Sequence, residues 1–390
     1  MTPPARAAAA AALLDEILAG RPAEAALTGW ARASRFAGSG DRAAVRDLVY
    51  DALRRRESLA ALGGALTGRG LILGALRADG RDPAEIFTGA RHALAELDAA
   101  EREGLLSPPP EDAPPYDIPR WLWPEWQESL GDQAGDIARA MRARAPVWLR
   151  VNLRKADPKR AIAALSEDGI TAEPAPALPS ALRVTEGERR VAASRAYQQG
   201  LVELQDLSAQ LACAAVPVAD GQKMLDFCAG GGGKTLALGA RASLDLTAHD
   251  AAPRRMADLP SRATRAGLRV TLCPPAPLGQ SYDLVVADVP CSGSGTWRRT
   301  PDAKWRLTPE ELDSLTKIQA AILDDAARLT APGGTLAYMT CSVLTRENEA
   351  QIAAFLVRNP GWRAGEAQRW TPLNASDGFF LTILHKDQAR

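Results

Sequence analysis

From about residue 201 onward, short apolar runs alternate with helical patterns, and this alternation constrains the fold more than any other feature. The runs are "KMLDF", "LDLTAHD", "YDLVVADV" and "GGTLAYMT". Strands separated by helices imply a parallel sheet covered on both faces. In such a sheet, ligands bind beyond the carboxyl ends of the strands. The residues at those ends are reactive or charged. Asp226 and Cys228 close the first run and Asp250 the second. Asp288, Pro290 and Cys291 close the third; Thr340, Cys341 and Ser342 close the fourth. A single acid after a strand is usually a cap or turn residue, and a single cysteine there is usually small core filler. Three cysteines and three acids at the ends of neighbouring strands point instead to a site.

The loop after the first run, "MLDFCAGGGGKT" (Met224 to Thr235), ends like a phosphate-binding loop. That motif requires a glycine five places before its last glycine, and Cys228 stands there. The G-x-G-x-x-G spacing of a dinucleotide loop is also absent. Glycines at this turn let a ligand approach the backbone, and an acid closing the second strand suits the hydroxyls of a ribose. This combination predicts a nucleoside cofactor without phosphate, S-adenosylmethionine, held by Cys228, Ala229, Gly230, Gly231, Gly232, Gly233, Lys234 and Asp250.

The chain has 390 residues, enough for two or three domains, and its 46% hydrophobic content is enough for a substantial core. Residues 1–105 are rich in Ala, Leu and Arg, and apolar spacing predicts helices over Ala7–Leu18, Ala43–Arg56 and Ala84–Ala99. "SPPPEDAPP" (Ser107 to Pro115) reads as a linker, within a connecting region 106–140. Residues 141–200 read as a small α+β subdomain and 201–390 as the parallel-sheet domain. The five cysteines include no C-x-x-C pair, and there are three histidines, so neither a disulfide framework nor a metal site is expected and a reducing cytoplasm is. Asp15 and Glu16 interrupt the N-terminal apolar run, which favours an amphipathic helix over a signal peptide. No membrane segment is expected.

Several segments together resemble the Fmu/Sun (RsmB-type) family of RNA (cytosine-5)-methyltransferases. "YDLVVADVPCSGSGTWRRTPDAKW" (Tyr282 to Trp305) is similar to that family's D-x-P-C-S-G-x-G segment and its R-R-x-P-D-x-K-W continuation. "APGGTLAYMTCSVLTRENEAQIAAFL" resembles the segment carrying T-C-S and E-N-E. "GLVELQDLSAQL", "VWLRVN" and "DGFFLTILHK" resemble further family segments, and "GDRAAVRDLVYDALRR" resembles the NusB-like helical domain of bacterial members. The resemblance implies a Rossmann-like class I methyltransferase sheet at the C-terminus, an α+β RNA-binding subdomain before it, and an all-α NusB-like domain at the N-terminus. This chain departs from the usual C-A-A-P-G-G-K-T loop at Gly230 and Gly231 and carries Arg262 where asparagine is usual. "VTLCPPAPLG" (Val270 to Gly279) holds no acid after the third strand, where the family has one.

The resemblance also implies roles. Cys341 corresponds to the nucleophile that attacks C6 of a cytosine, and Cys291 to the cysteine that helps eliminate the C5 proton and free the enzyme. Asp288 holds the N3/N4 edge of the base, Lys234 lies near the catalytic centre, and Arg255 and Asp288 add to the cofactor site. Such chemistry needs a thiolate, because C5 of cytosine becomes nucleophilic only after addition at C6.

The implied partner is RNA, with 16S ribosomal RNA favoured and transfer RNA the alternative, acted on by a monomer. Lys+Arg and Asp+Glu both number 47, so phosphate contact must come from local charge. Arg142, Arg144, Arg150 and Arg154 lie in one basic run, and Arg298 and Arg299 follow the Pro-Cys motif. The rival readings are a non-catalytic RNA-binding protein on a methyltransferase scaffold and a nucleotide hydrolase, which Cys228 disfavours.

Overall fold

The computed structural model describes residues 1–106, 116–273 and 281–388. The proline-rich stretch 107–115 and the part of Val270 to Gly279 beyond Cys273 lie outside the described residues. The chain divides into two compact units. One is Met1–Arg144 with Trp297–Leu307, and the other is Ala145–Thr296 with Thr308–Arg390.

The first unit is helical. Helices Pro3–Leu18, Ala23–Ala33, Ser39–Arg54, Arg56–Gly63 and Gly68–Ala78 surround a core that includes Leu14, Val45, Val49, Leu53, Leu59 and Leu71. The helix expected over Ala84–Ala99 does not form. A single 3-10 turn spans Pro83–Glu85, and the next helix starts at Ala99. Gly89 and His92 adopt left-handed backbone angles, which an α-helix cannot continue through. Ile86 and Phe87 enter the core from this irregular stretch instead. Among the described residues, no single helix is long and apolar enough to cross a membrane.

Trp297–Leu307, carrying the R-R-x-P-D-x-K-W sequence, belongs to this helical unit. Trp297 stacks on Trp126 at 5.9 Å between ring centroids. Trp305 Nε1 donates to Leu53 O at 2.7 Å, and Arg56 lies 3.7 Å over the Trp305 ring. Lys304 is 2% exposed, and its ammonium donates to Asp117 O (2.6 Å) and Arg54 O (3.2 Å). Burial lowers its pKa to about 7, against the opposing pull of Asp117.

The second unit contains two sheets. The smaller is antiparallel, formed by β1 (Val147–Val151), β2 (Thr171–Ala175), β3 (Leu178–Glu186) and β4 (Val202–Leu204) in the order β2-β3-β1-β4. The larger comprises β5 (Lys223–Asp226), β6 (Asp245–His249), β7 (Thr271–Cys273), β8 (Tyr282–Asp288), β9 (Thr330–Thr340), β10 (Trp362–Ala364), β11 (Gln368–Trp370) and β12 (Phe379–Lys386). Its order is β10-β12-β9-β8-β5-β6-β7, with β11 also on β12. Strands β5 to β9 pair in parallel, and β12 is antiparallel to β9. The four apolar runs identified in the sequence are β5, β6, β8 and β9.

Alternation along the central strands explains how both faces are covered. Val285 and Ala287 of β8 face a core with Leu323, Ala326, Ile352 and Phe355. Leu284 and Val286 face the opposite core with Ala209, Ala212, Ala237 and Leu238. The small sheet and the large one lie in the same compact unit, joined by polar contacts. Asn152 Nδ2 donates to Gly200 O (3.0 Å) and Ala266 O (2.9 Å), and Lys155 Nζ donates to Arg265 O at 2.6 Å.

Candidate active site

Strand order creates the site. The chain runs outward from β5 through β6 to β7 on one side and through β8 to β9 on the other. The carboxyl end of β5 is therefore the switch point where a crevice opens. The glycine loop follows β5, the Pro-Cys loop follows β8, and the Thr-Cys-Ser loop follows β9.

The glycine loop is tied down at several points. Asp226, buried beneath it, accepts from Thr235 N at 3.0 Å and from the Thr235 hydroxyl at 2.6 Å. Burial raises the Asp226 pKa to about 6. Gly232 has φ +79°, and a Cβ there would lie 2.1 Å from Leu259 Cδ1, so this turn requires glycine. Arg262, where the family usually has asparagine, donates to Gly231 O and pairs with Glu203 at 3.3 Å. The arginine therefore anchors the loop at its departure from the usual sequence.

Asp250 closes β6 at 2% exposure. Its carboxylate accepts from Gly230 N and Ala252 N, both at 2.9 Å, and pairs with Arg255 at 3.2 Å. A carboxylate offers about four acceptor positions. Arg255 is 61% exposed, so it can yield its place to a ribose hydroxyl without leaving a buried charge. A turn of glycines beside one carboxylate is suited to a ribose and an uncharged base rather than to a polyphosphate. These residues fit S-adenosylmethionine.

Lys234 forms an ion pair with Asp288, linking the loops after β5 and β8. Burial opposes the Lys234 charge, but the Asp288 carboxylate outweighs it by charge and hydrogen bond and holds the pKa above its usual value. Lys234 thus stays a fixed cation, 5.2 Å from the Phe379 ring centroid.

The two cysteines meet next to this pair. Asp288 is in register with Met339 across β8 and β9, Val289 N donates to Met339 O (3.0 Å), and Gly295 N donates to Cys341 O (2.9 Å). This places Cys291 Sγ 3.3 Å from Cys341 Sγ. The hydrogen bond from Cys291, helped by the Lys234 charge, lowers the Cys341 pKa against the effect of burial. The same hydrogen bond, then burial, raises Cys291. The directions favour Cys341 as the sulfur more easily ionised and Cys291 as the one held protonated. Gly295 allows the approach of a further segment, since a Cβ there would meet Gly378 O at 2.3 Å.

Comparisons with known proteins place the chain in a family. Residues 214–385 match the family described as 16S rRNA methyltransferase RsmB/F, and residues 118–191 match the ferredoxin-like domain of RsmF/B-like methyltransferases. Ribosomal RNA small subunit methyltransferase B of Xanthomonas campestris pv. campestris is 36% identical over 316 residues, covering 75% of this chain and 71% of that protein. The chain belongs to the RsmB/F family of 16S rRNA methyltransferases. The protein of the same description from Xylella fastidiosa is 37% identical over 289 residues, covering 69% of this chain and 67% of the relative. As an RsmB/F member, the chain is an S-adenosylmethionine-dependent RNA cytosine-5 methyltransferase. The crystal structure of PH0851 shares the fold with a TM-score of 0.77 at 23% identity, covering 99% of this chain and 100% of that one. NSun6 from Pyrococcus horikoshii, solved with SFG, has a TM-score of 0.62 at 18% identity, covering 70% and 99%.

The expected RNA-contacting residues fall into different environments. Arg150 is buried; its Nη1 donates to Gln205 Oε1 (2.6 Å) and Gly233 O (3.0 Å), so it supports the glycine loop rather than presenting charge to solvent. Arg298 is buried within the helical unit, where Arg54 Nε donates to its carbonyl at 2.6 Å. Arg142 pairs at 2.7 Å with the fully buried Asp117. Arg144, Arg154 and Arg299 are exposed. The site also contains groups to which the sequence assigned no role, above all Glu347, Gln205 and Arg262. Two of them carried a signal: Glu347 lies in the E-N-E segment, and Arg262 replaces the usual asparagine.

Proposed function

We propose that this chain methylates C5 of a cytosine in 16S ribosomal RNA through a covalent bond between Cys341 Sγ and C6 of the base. The observation that carries the reading is the Cys291–Cys341 pair beside the Lys234–Asp288 ion pair. Cys341 adds as thiolate to C6, and the C5–C6 electron pair moves into the ring. Asp288, at the strand end, faces the N3/N4 edge of the base, and Lys234 supplies fixed positive charge for the density that accumulates. S-adenosylmethionine supplies an electrophilic methyl group, and the loop Cys228 to Lys234 with Asp250 and Arg255 holds it.

Cys291 then acts in the second half of the reaction. The hydrogen bond to Cys341 is the largest cause of its raised pKa. Once Cys341 is bonded to carbon, that hydrogen bond to a thiolate is gone, and Cys291 gives its proton to solvent and is left as a thiolate. It takes the proton from C5, the Cys341–C6 bond breaks, and the electron pair returns to Cys341. The base must be unstacked to reach the crevice, which suits a single-stranded or looped RNA segment. Bisulfite sequencing of unmodified 16S RNA treated with the protein and S-adenosylmethionine tests the reading. One cytosine should become resistant; methyl incorporation without a resistant cytosine would overturn it.

A further inference from the structure

Glu347 is completely buried, and the four hydrogen bonds to its carboxylate come from three separate segments. Oε1 accepts from Ser292 N at 2.8 Å and from Gln319 Nε2 at 2.9 Å. Oε2 accepts from the hydroxyls of Ser292 and Ser342. Ser292 follows Cys291, and Ser342 follows Cys341. One carboxylate therefore grips the residue after each reactive cysteine.

The surrounding contacts extend this grip. Ser294 Oγ lies 2.9 Å from Ser342 Oγ and accepts from Val343 N at 2.9 Å. Asn348 Nδ2 donates to Ser342 O at 3.0 Å, while the Thr340 hydroxyl donates to Asn348 Oδ1 at 2.6 Å. Gln319, on the helix Pro309–Leu329, also donates to Pro290 O at 3.0 Å, so it steadies the residue before Cys291. Tyr338 OH donates to Glu347 O at 2.7 Å, fixing the clamp to β9 itself.

We infer that Glu347 is a positioning residue for the methyl-transfer reaction, clamping the loops after β8 and β9 together so that Cys291 and Cys341 stay in hydrogen-bond contact. A carboxylate with no cation among these four donors is a costly way to join two loops if joining were all that was required. Its negative charge also adds to the effects that keep Cys291 protonated. The inference rests on Cys341 being the nucleophile.

The test uses an RNA transcript containing 5-fluorocytidine, from which the C5 substituent cannot leave as a proton, so the Cys341 adduct accumulates. Glu347→Gln keeps the size of the side chain but replaces one acceptor with a donor. At saturating RNA and S-adenosylmethionine it should slow adduct formation about 10- to 100-fold, the scale expected for misplacing reacting groups by about an ångström. The Kd values for RNA and cofactor should be unchanged. Ser342→Ala, which removes one neutral hydroxyl, carries the test if Glu347→Gln fails to fold, and should slow the same step. A folded Glu347→Gln or Ser342→Ala protein that forms adduct at the parent rate overturns the inference, as does a loss explained wholly by weaker binding. Adduct that persists in Cys341→Ala instead overturns the assignment of the nucleophile.

Discussion

The sulfur atoms of Cys291 and Cys341 lie 3.3 Å apart although 50 positions separate them in the chain. Parallel pairing of β8 with β9 brings them together, and the Ser292 and Ser342 contacts to one carboxylate hold them there. Their environments differ in direction, since the hydrogen bond between them lowers Cys341 and raises Cys291.

The two cysteines should therefore fail in different ways. Cys341→Ala should reduce methyl transfer roughly ten-thousand-fold or more, because no bond to C6 can form, while cofactor and RNA binding persist. Cys291→Ala should accumulate a protein–RNA adduct that survives denaturing electrophoresis, and adding Cys341→Ala should abolish it. An adduct that depends on Cys291 would reverse the roles.

The pH profile should move with the hydrogen bond. Adduct formation requires the Cys341 thiolate, so its rate should rise with pH through the Cys341 pKa, which lies below the usual thiol value. Cys291→Ala removes the largest cause of that lowering. Its rising limb should lie at higher pH than that of the parent in single-turnover adduct assays. Coincident limbs would mean that the 3.3 Å contact does not tune Cys341.

Asp250→Ala should weaken S-adenosylmethionine binding by about 1.5–3 kcal/mol in calorimetry, the range for hydrogen bonds to a charged group. Part of this loss arises within the protein, because Gly230 N and Ala252 N lose their acceptor. Unchanged affinity would remove Asp250 from the cofactor site.

RNA binding should respond to the exposed part of the basic run. Arg154→Glu with Lys159→Glu, both at exposed positions after β1, should reduce the salt dependence of RNA binding, with the slope falling by roughly 0.7 for each phosphate no longer neutralised. An unchanged slope would make this run a solvated face. Arg142→Glu should behave differently, because it places a like charge beside buried Asp117. It should destabilise the fold by about 3–5 kcal/mol, seen as a lower urea midpoint.

Lys304 should make the helical unit more stable in mild alkali. Its folded pKa is about 7, well below the ordinary lysine value that the unfolded chain keeps. Between those values the unfolded chain holds a proton that the folded chain has released, so this group's contribution rises with pH across that window. Relative to Lys304→Met, the parent should gain a few kcal/mol of unfolding free energy on going from neutral pH to about pH 10. A flat difference would show that the buried ammonium keeps its proton.

Much of the site was legible in the chain because the signals are local. Short apolar runs separated by helical patterns placed Asp226, Asp250, Asp288, Cys291 and Cys341 at strand ends, and the glycines marked a turn open to a ligand. Those signals determined the sheet domain and the cofactor class, while the roles given to Cys341 and Cys291 came from the family resemblance. Charge was a poorer guide, since a run of arginines carries no period that tells which ones face inward. Only the tertiary structure decided that Arg150 turns beneath the glycine loop, that Trp297–Leu307 joins the helical unit and buries Arg298 and Lys304, and that Glu347 sits between two loops distant in sequence. Each depends on long-range packing, where a buried polar group must find its partners wherever the fold brings them.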